Sequence, residues 1–79
     1  MPATLAEVKD ILLKEFPGVD VTAVKEDNYR ILGPIWWNGF ENMDVLERNH
    51  LITERIRKKL GYKAMNVGVI FPLVPGENL

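Results

Sequence analysis

A chain of 79 residues can form one domain with one small core, and its 47% hydrophobic and 27% charged residues are typical of a globular protein. It has no cysteine, which excludes disulfides and thiolate chemistry, and its single histidine, His50, cannot by itself make a conventional zinc site. The net charge is −1, no signal peptide is recognisable, and no apolar run approaches the roughly 20 residues that span a bilayer. We therefore expect residues 1–79 to form a single soluble, cytoplasmic domain.

The charged side chains are unevenly distributed. Up to Asp44 there are four cations and eight anions, and after it there are six cations and three anions. This asymmetry indicates an acidic first half and a basic second helix, and it does not indicate a strongly basic nucleic-acid-binding protein.

The first predicted element is a helix. Thr4 and Glu7 have the spacing of a capping box, and Pro17-Gly18 ends the segment. Apolar residues recur between them at helical spacing and predict one buried face: Leu5, Val8, Ile11, Leu12 and Phe16.

Two strands are predicted next. Residues 19–23 alternate apolar and polar side chains, which predicts a half-buried strand, and Lys25–Asn28 is a polar turn. The apolar run Tyr29–Trp37 predicts a second strand, so the two should form a hairpin. Pro34 lacks a backbone N–H and favours a sheet edge, a bulge or a strand end.

A loop at residues 38–42 precedes the long second helix, which has Asn42 or Asp44 as its N-cap and Gly61 after its C-terminus. The last strand is predicted over Met65–Phe71, and Pro72 closes it. One stripe of the second helix should be buried: Val45, Asn49, Ile52, Ile56 and Leu60.

The predicted order is therefore α-β-β-α-β. The strand–helix–strand step favours a right-handed crossover between parallel strands. We predict the α/β (α+β) fold class, as a two-layer domain with a three-stranded mixed sheet. Both helices should lie on one face of that sheet, and the other face should be partly open.

This order resembles that of the BolA-like family, whose fold is related to type II KH domains. The second strand of that family runs into a phenylalanine loop, which looks like Phe40 here. The last strand ends in a turn that looks like residues 74–77, with one residue inserted. The family's helix motif matches at Leu46, Arg48, Asn49 and Ile52.

The resemblance implies a non-catalytic adaptor or regulator that docks a monothiol glutaredoxin. Family members can share a [2Fe-2S] cluster with that partner, through a histidine at the start of the last strand and a Cys or His in the hairpin. Here the residue at the start of the last strand is Asn66, and the hairpin residues Lys25–Asn28 include neither Cys nor His. The helix histidine is likewise Asn49, with His50 one place later. Because such clusters are held by thiolate or imidazole, we predict no cofactor and no metal site.

Catalysis is not expected, because the chain has no serine or cysteine and its paired carboxylates fall in a predicted solvated turn. Trp36 and Trp37 are adjacent in a strand and must point to opposite faces, so one of them is expected at the open face or in the loop. Exposed tryptophan is enriched at binding hot spots. The predicted partner-binding residues are Trp36, Trp37, Phe40, Arg48 and His50.

Two alternatives remain open at this point. One is a nucleic-acid-binding regulator, although no pair of glycines has the GxxG spacing of a KH loop. The other is a homodimer whose interface is the open sheet face. The nucleic-acid-binding alternative would use the basic helix: Arg48, Arg55, Arg57, Lys58 and Lys59.

Overall fold

A computed structural model describes residues 1–78. Within these residues the chain forms two α-helices and a three-stranded mixed sheet in the predicted order α-β-β-α-β, which confirms the fold class. In the described part of the chain, no helix is long and apolar enough to cross a membrane. The elements are α1 (Leu5–Glu15), β1 (Lys25–Asp27), β2 (Arg30–Trp36), α2 (Val45–Leu60) and β3 (Val67–Leu73), with 3-10 turns at Asn38–Phe40 and Gly61–Asn66.

The sheet order is β1-β2-β3, with β1 antiparallel and β3 parallel to the central strand β2. Because the β2–β3 connection runs through α2, this is the predicted strand–helix–strand crossover. The strands β1 and β3 are consequently the two edges of the sheet.

Both helices begin at a predicted N-cap, Thr4 for α1 and Asp44, one of two predicted residues, for α2, whereas α1 ends at Glu15, just before the predicted Pro17-Gly18. The Thr4 side chain accepts a hydrogen bond from the Glu7 backbone N–H (3.1 Å), and the Glu7 side chain accepts one from the Thr4 N–H (3.0 Å). Asp44 caps α2 by accepting from the Glu47 N–H at 2.9 Å, and Gly61, with φ of 56°, ends it. These caps satisfy backbone groups that a helix terminus leaves unpaired.

The predicted first strand over residues 19–23 is wrong. Only Asp20 forms a bridge in this segment, with Trp36. The Asp20 carboxylate accepts from both the backbone N–H (2.9 Å) and the hydroxyl (2.7 Å) of Thr22. Such a local side-chain turn competes with sheet hydrogen bonding, so the segment bends instead of continuing as a strand.

The predicted turn at Lys25–Asn28 is also wrong, because Lys25–Asp27 is the strand β1 itself. The hairpin turn lies one step later, at Asn28 and Tyr29, whose φ angles are 51° and 68°. Asp27 pairs with Arg30 across it. Two central residues with positive φ are the geometry of a type I′ turn, whose twist matches that of the flanking strands.

Pro34 and Pro72 lie inside strands where no ladder hydrogen bond is lost. Of the three positions predicted for Pro34, a sheet edge, a bulge or a strand end, the edge is excluded because β2 is the central strand. Pro34 lies beyond the last pair with β1, Lys25 with Leu32. Pro72 lies in β3, so the predicted closure of this strand at Pro72 is wrong.

β3 starts at Val67 instead of the predicted Met65, because the 3-10 turn that follows α2 extends to Asn66.

The core lies between the sheet and the two helices. Ile52 and Ile56 of the predicted α2 stripe are buried, but Val45 is 62% exposed, so the prediction is wrong at that end. The side chains of β2 that face the helices alternate with half-buried ones. Residues with the lowest exposure, between 0 and 1%, are Val8, Leu12, Phe16, Ile31, Ile35 and Phe40.

Candidate functional site

Trp36 lies at the end of β2 and is half-buried. By strand alternation its side chain is on the face away from the buried Ile35, which is the face opposite the helices. The indole N–H donates to the Glu77 carbonyl at 2.9 Å, so the C-terminal segment is tied to the end of β2. Trp36 is therefore partly exposed and held in place, as a rigid contact residue would be.

Trp37 packs in the opposite direction, against the core. Its ring makes edge contacts with Phe16 (centroids 5.1 Å apart) and Phe40 (5.0 Å), and its N–H donates to the Pro17 carbonyl at 2.9 Å. Gly39 lies beneath the ring, where an added Cβ would be 2.3 Å from indole carbons. Of the two tryptophans, Trp36 is thus the one at the open face.

Phe40 and Arg48 are adjacent but are turned inward. Phe40 is 0% exposed, and the guanidinium carbon of Arg48 lies 6.0 Å from its ring centroid. Arg48 donates to the carbonyls of Met43 (2.9 Å) and Pro72 (3.1 Å) and to the Glu77 carboxylate (3.3 Å). Its side chain is only 11% exposed. These contacts anchor the loop, α2 and the C-terminal segment to each other.

The Glu77 carboxylate also accepts from the Val74 N–H at 2.7 Å. This bond, followed by the hydrogen bond and charge of Arg48, lowers the pKa of the Glu77 carboxyl below its ordinary value. The carboxylate therefore stays ionised at neutral pH and helps to hold the turn at residues 74–77.

His50 lies apart from this cluster, on the solvent side of α2. Its side chain is 81% exposed, and its Nε2 atom is 3.4 Å from the Glu54 carboxylate, one helical turn later. Among residues 1–78 there is no group of three or more His, Asp or Glu residues that could hold a metal ion. The structure thus brings Trp37, Phe40 and Arg48 together and leaves His50 at a distance from them.

The cations of α2 do not form one free basic surface. Glu15 of α1 accepts from Arg55 at 2.8 Å and lies 3.9 Å from Lys59, so two of the cations pair with the neighbouring helix. The hydrogen bond from Arg55 is the main cause of the lowered pKa of Glu15. Arg48 is turned inward, as described above. Arg57 and Lys58 make no ion pair with a carboxylate among residues 1–78.

Asn66, which the resemblance to BolA-like proteins would align with a cluster ligand, makes only backbone contacts among the described residues. Its Oδ1 atom accepts from the Ala3 N–H (3.1 Å), and its Nδ2 atom donates to the carbonyls of Ala3 (2.9 Å) and Tyr29 (3.1 Å). The amide thereby joins the N-terminus, the hairpin turn and the start of β3. These residues do not fit a [2Fe-2S] cluster, because an amide with both ends engaged is no substitute for thiolate or imidazole.

The face of the sheet opposite the helices is apolar and only partly covered. We call it the open face. Val69 is 58% and Phe71 is 38% exposed, and the neighbouring β2 side chains on this face are half-buried. The sequence shows that β2 and β3 are apolar. It does not show which side of each strand is open, because that depends on strand register. The open face consists of Leu32, Pro34 and Trp36 of β2 and Val69, Phe71 and Leu73 of β3.

A groove of about 320 Å³ runs between α2 and the outer edge of β3. We call it the α2–β3 groove. Its lining residues include Asn49, Thr53 and Arg57 of α2 and Val67 and Val69 of β3. Arg57 is the charged residue of this lining, and the rest is apolar or neutral.

A second apolar groove, of about 580 Å³, lies at the end of α2 next to the first one. The two grooves share Arg57, Ala64 and Val67. Tyr62 (97% exposed) and Met65 (84%) line the second groove, which no periodic pattern of apolar residues indicates. Most of the large exposed apolar side chains therefore lie along α2, β3 and the turn between them.

Comparison of the chain with protein-family models, with curated proteins and with solved structures found no match.

Proposed function

We propose that this chain is a non-catalytic protein-binding domain that works as an adaptor or regulator, and that its partner docks on the open face. The observation that carries the proposal is the exposure of Val69 and Phe71 on a sheet face that neither helix covers. Contiguous exposed apolar surface on a small domain is typical of interaction sites. The hydrogen-bonded Trp36 at one end of this face adds a rigid aromatic contact of the kind that is enriched at hot spots.

The proposal of a non-catalytic role is supported by the setting of the titratable groups. The described residues include no buried polar or charged side chain. The carboxyls whose pKa is lowered each have a structural partner, such as Lys63 for Glu7 and Arg55 for Glu15. Catalytic acids and bases are usually found in clefts with perturbed pKa values, and these carboxylates are at helix and turn contacts instead.

The partner that we propose to test first is a monothiol glutaredoxin, on the strength of the resemblance to BolA-like proteins. Docking would have to be independent of a shared cluster, because Asn66 is engaged in three hydrogen bonds and Lys25–Asn28 includes no Cys or His. An apolar face can supply such docking without a metal.

The nucleic-acid-binding alternative has less support. Of its five predicted cations, Arg48 is turned inward, and Arg55 and Lys59 pair with Glu15. Arg57 and Lys58 are exposed and make no ion pair with a carboxylate among residues 1–78, and two such cations are few compared with the roughly 6–10 phosphate contacts that a duplex-binding protein can make.

The experiment is a titration of the isotope-labelled chain with a purified monothiol glutaredoxin, with and without its [2Fe-2S] cluster, followed by NMR. We expect shifts on the open face in both cases, with little dependence on salt. The variant Phe71→Asp should abolish them. Leu13→Asp is the matched control, because Leu13 is 49% exposed on α1, in the helical layer on the other side of the sheet.

Three outcomes would contradict parts of this proposal. If no shifts occur at high glutaredoxin concentration, this partner is wrong. If shifts occur but Phe71→Asp and Leu13→Asp behave alike, the open face is not the docking surface. If a nucleic acid binds at Arg57 and Lys58 with steep salt dependence, the chain is a nucleic-acid-binding protein instead.

A further inference from the structure

Three surface grooves adjoin one another at Arg57 of α2. This residue lines the α2–β3 groove, the second groove and a third one, of about 540 Å³, which it shares with His50. Among residues 1–78, no other charged side chain lines the first two grooves. The carboxylate of the third groove belongs to Glu54, which lies 3.4 Å from the Nε2 atom of His50. Arg57 is therefore the central charge of this side of the molecule.

Arg57 makes no ion pair with a carboxylate among residues 1–78, and neither does its neighbour Lys58. Two other cations near the end of the helix, Arg55 and Lys59, pair with Glu15. In water an exposed guanidinium needs no partner. An occupant that fills the grooves on both sides, however, also covers Arg57 and displaces its water, which is costly unless an anion replaces that water. The occupant must therefore carry a negative charge at this position.

The surface on either side of Arg57 is apolar. On one side, at the second groove, Tyr62 is 97% and Met65 is 84% exposed. On the other side, Leu46 is 81% exposed. It lies on the same flank of α2 as Thr53 and Arg57, because the three are separated by seven and four residues. Aromatic residues, methionine and arginine are the side chains enriched at protein interfaces.

The length of this surface suits a segment of polypeptide and exceeds that of a small molecule. Its ends along α2, at Leu46 and Gly61, are 15 residues apart, which is about 22 Å at the rise of an α-helix. A helix laid along it has about four turns. A small carboxylate would fill one groove and leave the exposed apolar side chains at both ends uncovered.

The occupant cannot be an added β-strand. The register of β3 with β2 shifts between Val67 and Ile70, and Ile70 is 5% exposed. Pro72 has no backbone N–H, and its carbonyl accepts from Arg48. The edge of β3 thus offers no run of free backbone groups. A helix satisfies its own backbone hydrogen bonds and binds a groove through its side chains, so it fits this surface.

We propose that this side of α2 binds an acidic amphipathic helix of a protein partner. A carboxylate of that helix pairs with Arg57, and a second carboxylate lies near Lys58. Apolar side chains one helical turn before and after the first carboxylate pack into the grooves on either side of Arg57. The site is separate from the open face except at Val69, which borders both. Binding here is therefore independent of docking at the open face, and two docking surfaces on one domain suit an adaptor.

The first measurement is the selection of helices from a displayed peptide library against the full chain. The library has helices of about 16 residues, the length of the surface, with acidic, basic and neutral residues equally represented at the randomised positions. We expect the selected helices to carry Asp or Glu within one turn of two apolar residues. In an NMR titration of the labelled chain, a synthetic copy of the tightest binder should shift the signals of Arg57, Tyr62 and Met65.

Two variants test the contacts. Arg57→Glu should weaken binding of the selected helix by about tenfold or more, because a like charge then faces its carboxylate. Met65→Asp should weaken binding as well, because it places a charge in the apolar contact. Both side chains are exposed, so the circular dichroism spectrum should be unchanged. Lys25→Glu, on β1, and Leu13→Asp, on α1, are the matched controls and should bind like the wild type.

A charge exchange shows whether the pairing with Arg57 is direct. A peptide with lysine in place of the acidic residue should bind the wild type about tenfold more weakly, but it should bind Arg57→Glu more tightly than it binds the wild type. A change in the fold of the variant cannot produce this reversal. Phe71→Asp should leave binding of the helix unchanged, so failure at this site and failure at the open face are distinguishable.

Selected helices without a preference for acidic residues would overturn the proposal. So would binding that Arg57→Glu leaves unchanged, or shifts confined to the open face. If the selection yields no helix that binds, the proposal is also wrong, and saturable shifts at Arg57 with hexanoate would then assign the grooves to a small carboxylate.

Discussion

The side-chain amide of Asn66 forms a reciprocal pair with the backbone of Ala3. Its oxygen accepts from the Ala3 N–H at 3.1 Å, and its nitrogen donates to the Ala3 carbonyl at 2.9 Å. Residues 63 positions apart in the chain are thus joined by two bonds in the way that neighbouring strands are joined. The Ala3 N–H also donates to the Lys63 carbonyl oxygen (2.9 Å), and Ala3 itself is 4% exposed.

Asn66→Ala is expected to destabilise the fold by about 1–3 kcal/mol, because it removes three hydrogen bonds and leaves the Ala3 and Tyr29 backbone groups less well satisfied. Urea unfolding measures the difference. Asn42→Ala is the matched control, since Asn42 is exposed, and it should change stability little. Equal effects of the two substitutions would mean that the amide pair does not stabilise the fold.

Glu15→Gln tests the link between the two helices as a function of pH. The hydrogen bond from Arg55 lowers the folded-state pKa of Glu15 below its ordinary value of 4.5, so the folded state favours the ionised form. The stabilisation is therefore present above the unfolded-state pKa and is lost as the pH falls through the folded-state pKa. We expect the variant to be less stable than the wild type at pH 7, and the two to converge in acid.

The measurement is a series of urea unfolding curves from pH 7 to pH 3 for both proteins. Glu41→Gln is the control, because Glu41 makes no ion pair among residues 1–78 and its substitution should have a small effect at neutral pH. A difference between wild type and Glu15→Gln that persists unchanged at the lowest pH would contradict the ion pair as its cause.

Tyr29→Gly is expected to stabilise the hairpin. Tyr29 has φ of 68°, a left-handed conformation that costs a side-chain-bearing residue about 1–2 kcal/mol relative to glycine, and glycine is favoured at this position of a type I′ turn. Because Tyr29 is 80% exposed, little packing is lost. After the entropy cost of glycine, a net gain of roughly 0.5–1 kcal/mol in the free energy of unfolding should remain.

Thermal and urea unfolding measure this gain. Tyr62→Gly is the comparison, because Tyr62 is 97% exposed but has no positive φ, so glycine there should not stabilise. If Tyr29→Gly lowers stability, then the tyrosine side chain makes a contribution that outweighs the backbone strain.

Gly33→Ala should be among the most damaging single substitutions in the chain. Gly33 has φ of 136°, and an added Cβ would lie 2.6 Å from the Ala23 carbonyl oxygen. Because that oxygen belongs to the backbone, the clash cannot be relieved by a side-chain rotation. We expect a loss of about 3 kcal/mol or more.

Gly18→Ala separates strain from clash in the same experiment. Gly18 also has a positive φ, of 87°, but no heavy atom lies within 4 Å of its ideal Cβ. It should lose only about 1–2 kcal/mol, the cost of the left-handed conformation. Similar losses for the two alanine variants would show that the contact with Ala23 is not rigid.

Local signals in the sequence were accurate where the structure depends on neighbouring residues. The capping box of Thr4 and Glu7 and the caps of α2 at Asp44 and Gly61 involve residues only a few positions apart. Their chemistry is complete within the helix itself, so tertiary contacts leave it unchanged. The element order followed from these boundaries and from the apolar patterns between them.

The first hairpin shows where local pattern failed. Residues 19–23 have the alternation of a strand and bury Val19 and Val21, yet Asp20 turns the backbone through its bonds to Thr22. The charged residues of β1 lack the strand pattern, and they pair because the Asn28–Tyr29 turn sets their register. Competition between a local side-chain bond and a ladder bond is decided by tertiary context.

For the candidate site, the sequence alone identified the unusual residues but not their directions. It determined that Trp36 and Trp37 point to opposite faces, because adjacent strand residues must, and that β3 carries no charge. Only the tertiary structure decided that Phe40 enters the core with Trp37 packed against it, that Arg48 turns inward to Pro72 and Glu77, and that Glu15 pairs with Arg55. It also decided that β1 and β3 are the two edges of the sheet. Residue type and periodicity are properties of the local chain, whereas exposure and pairing depend on which distant segment packs against each residue.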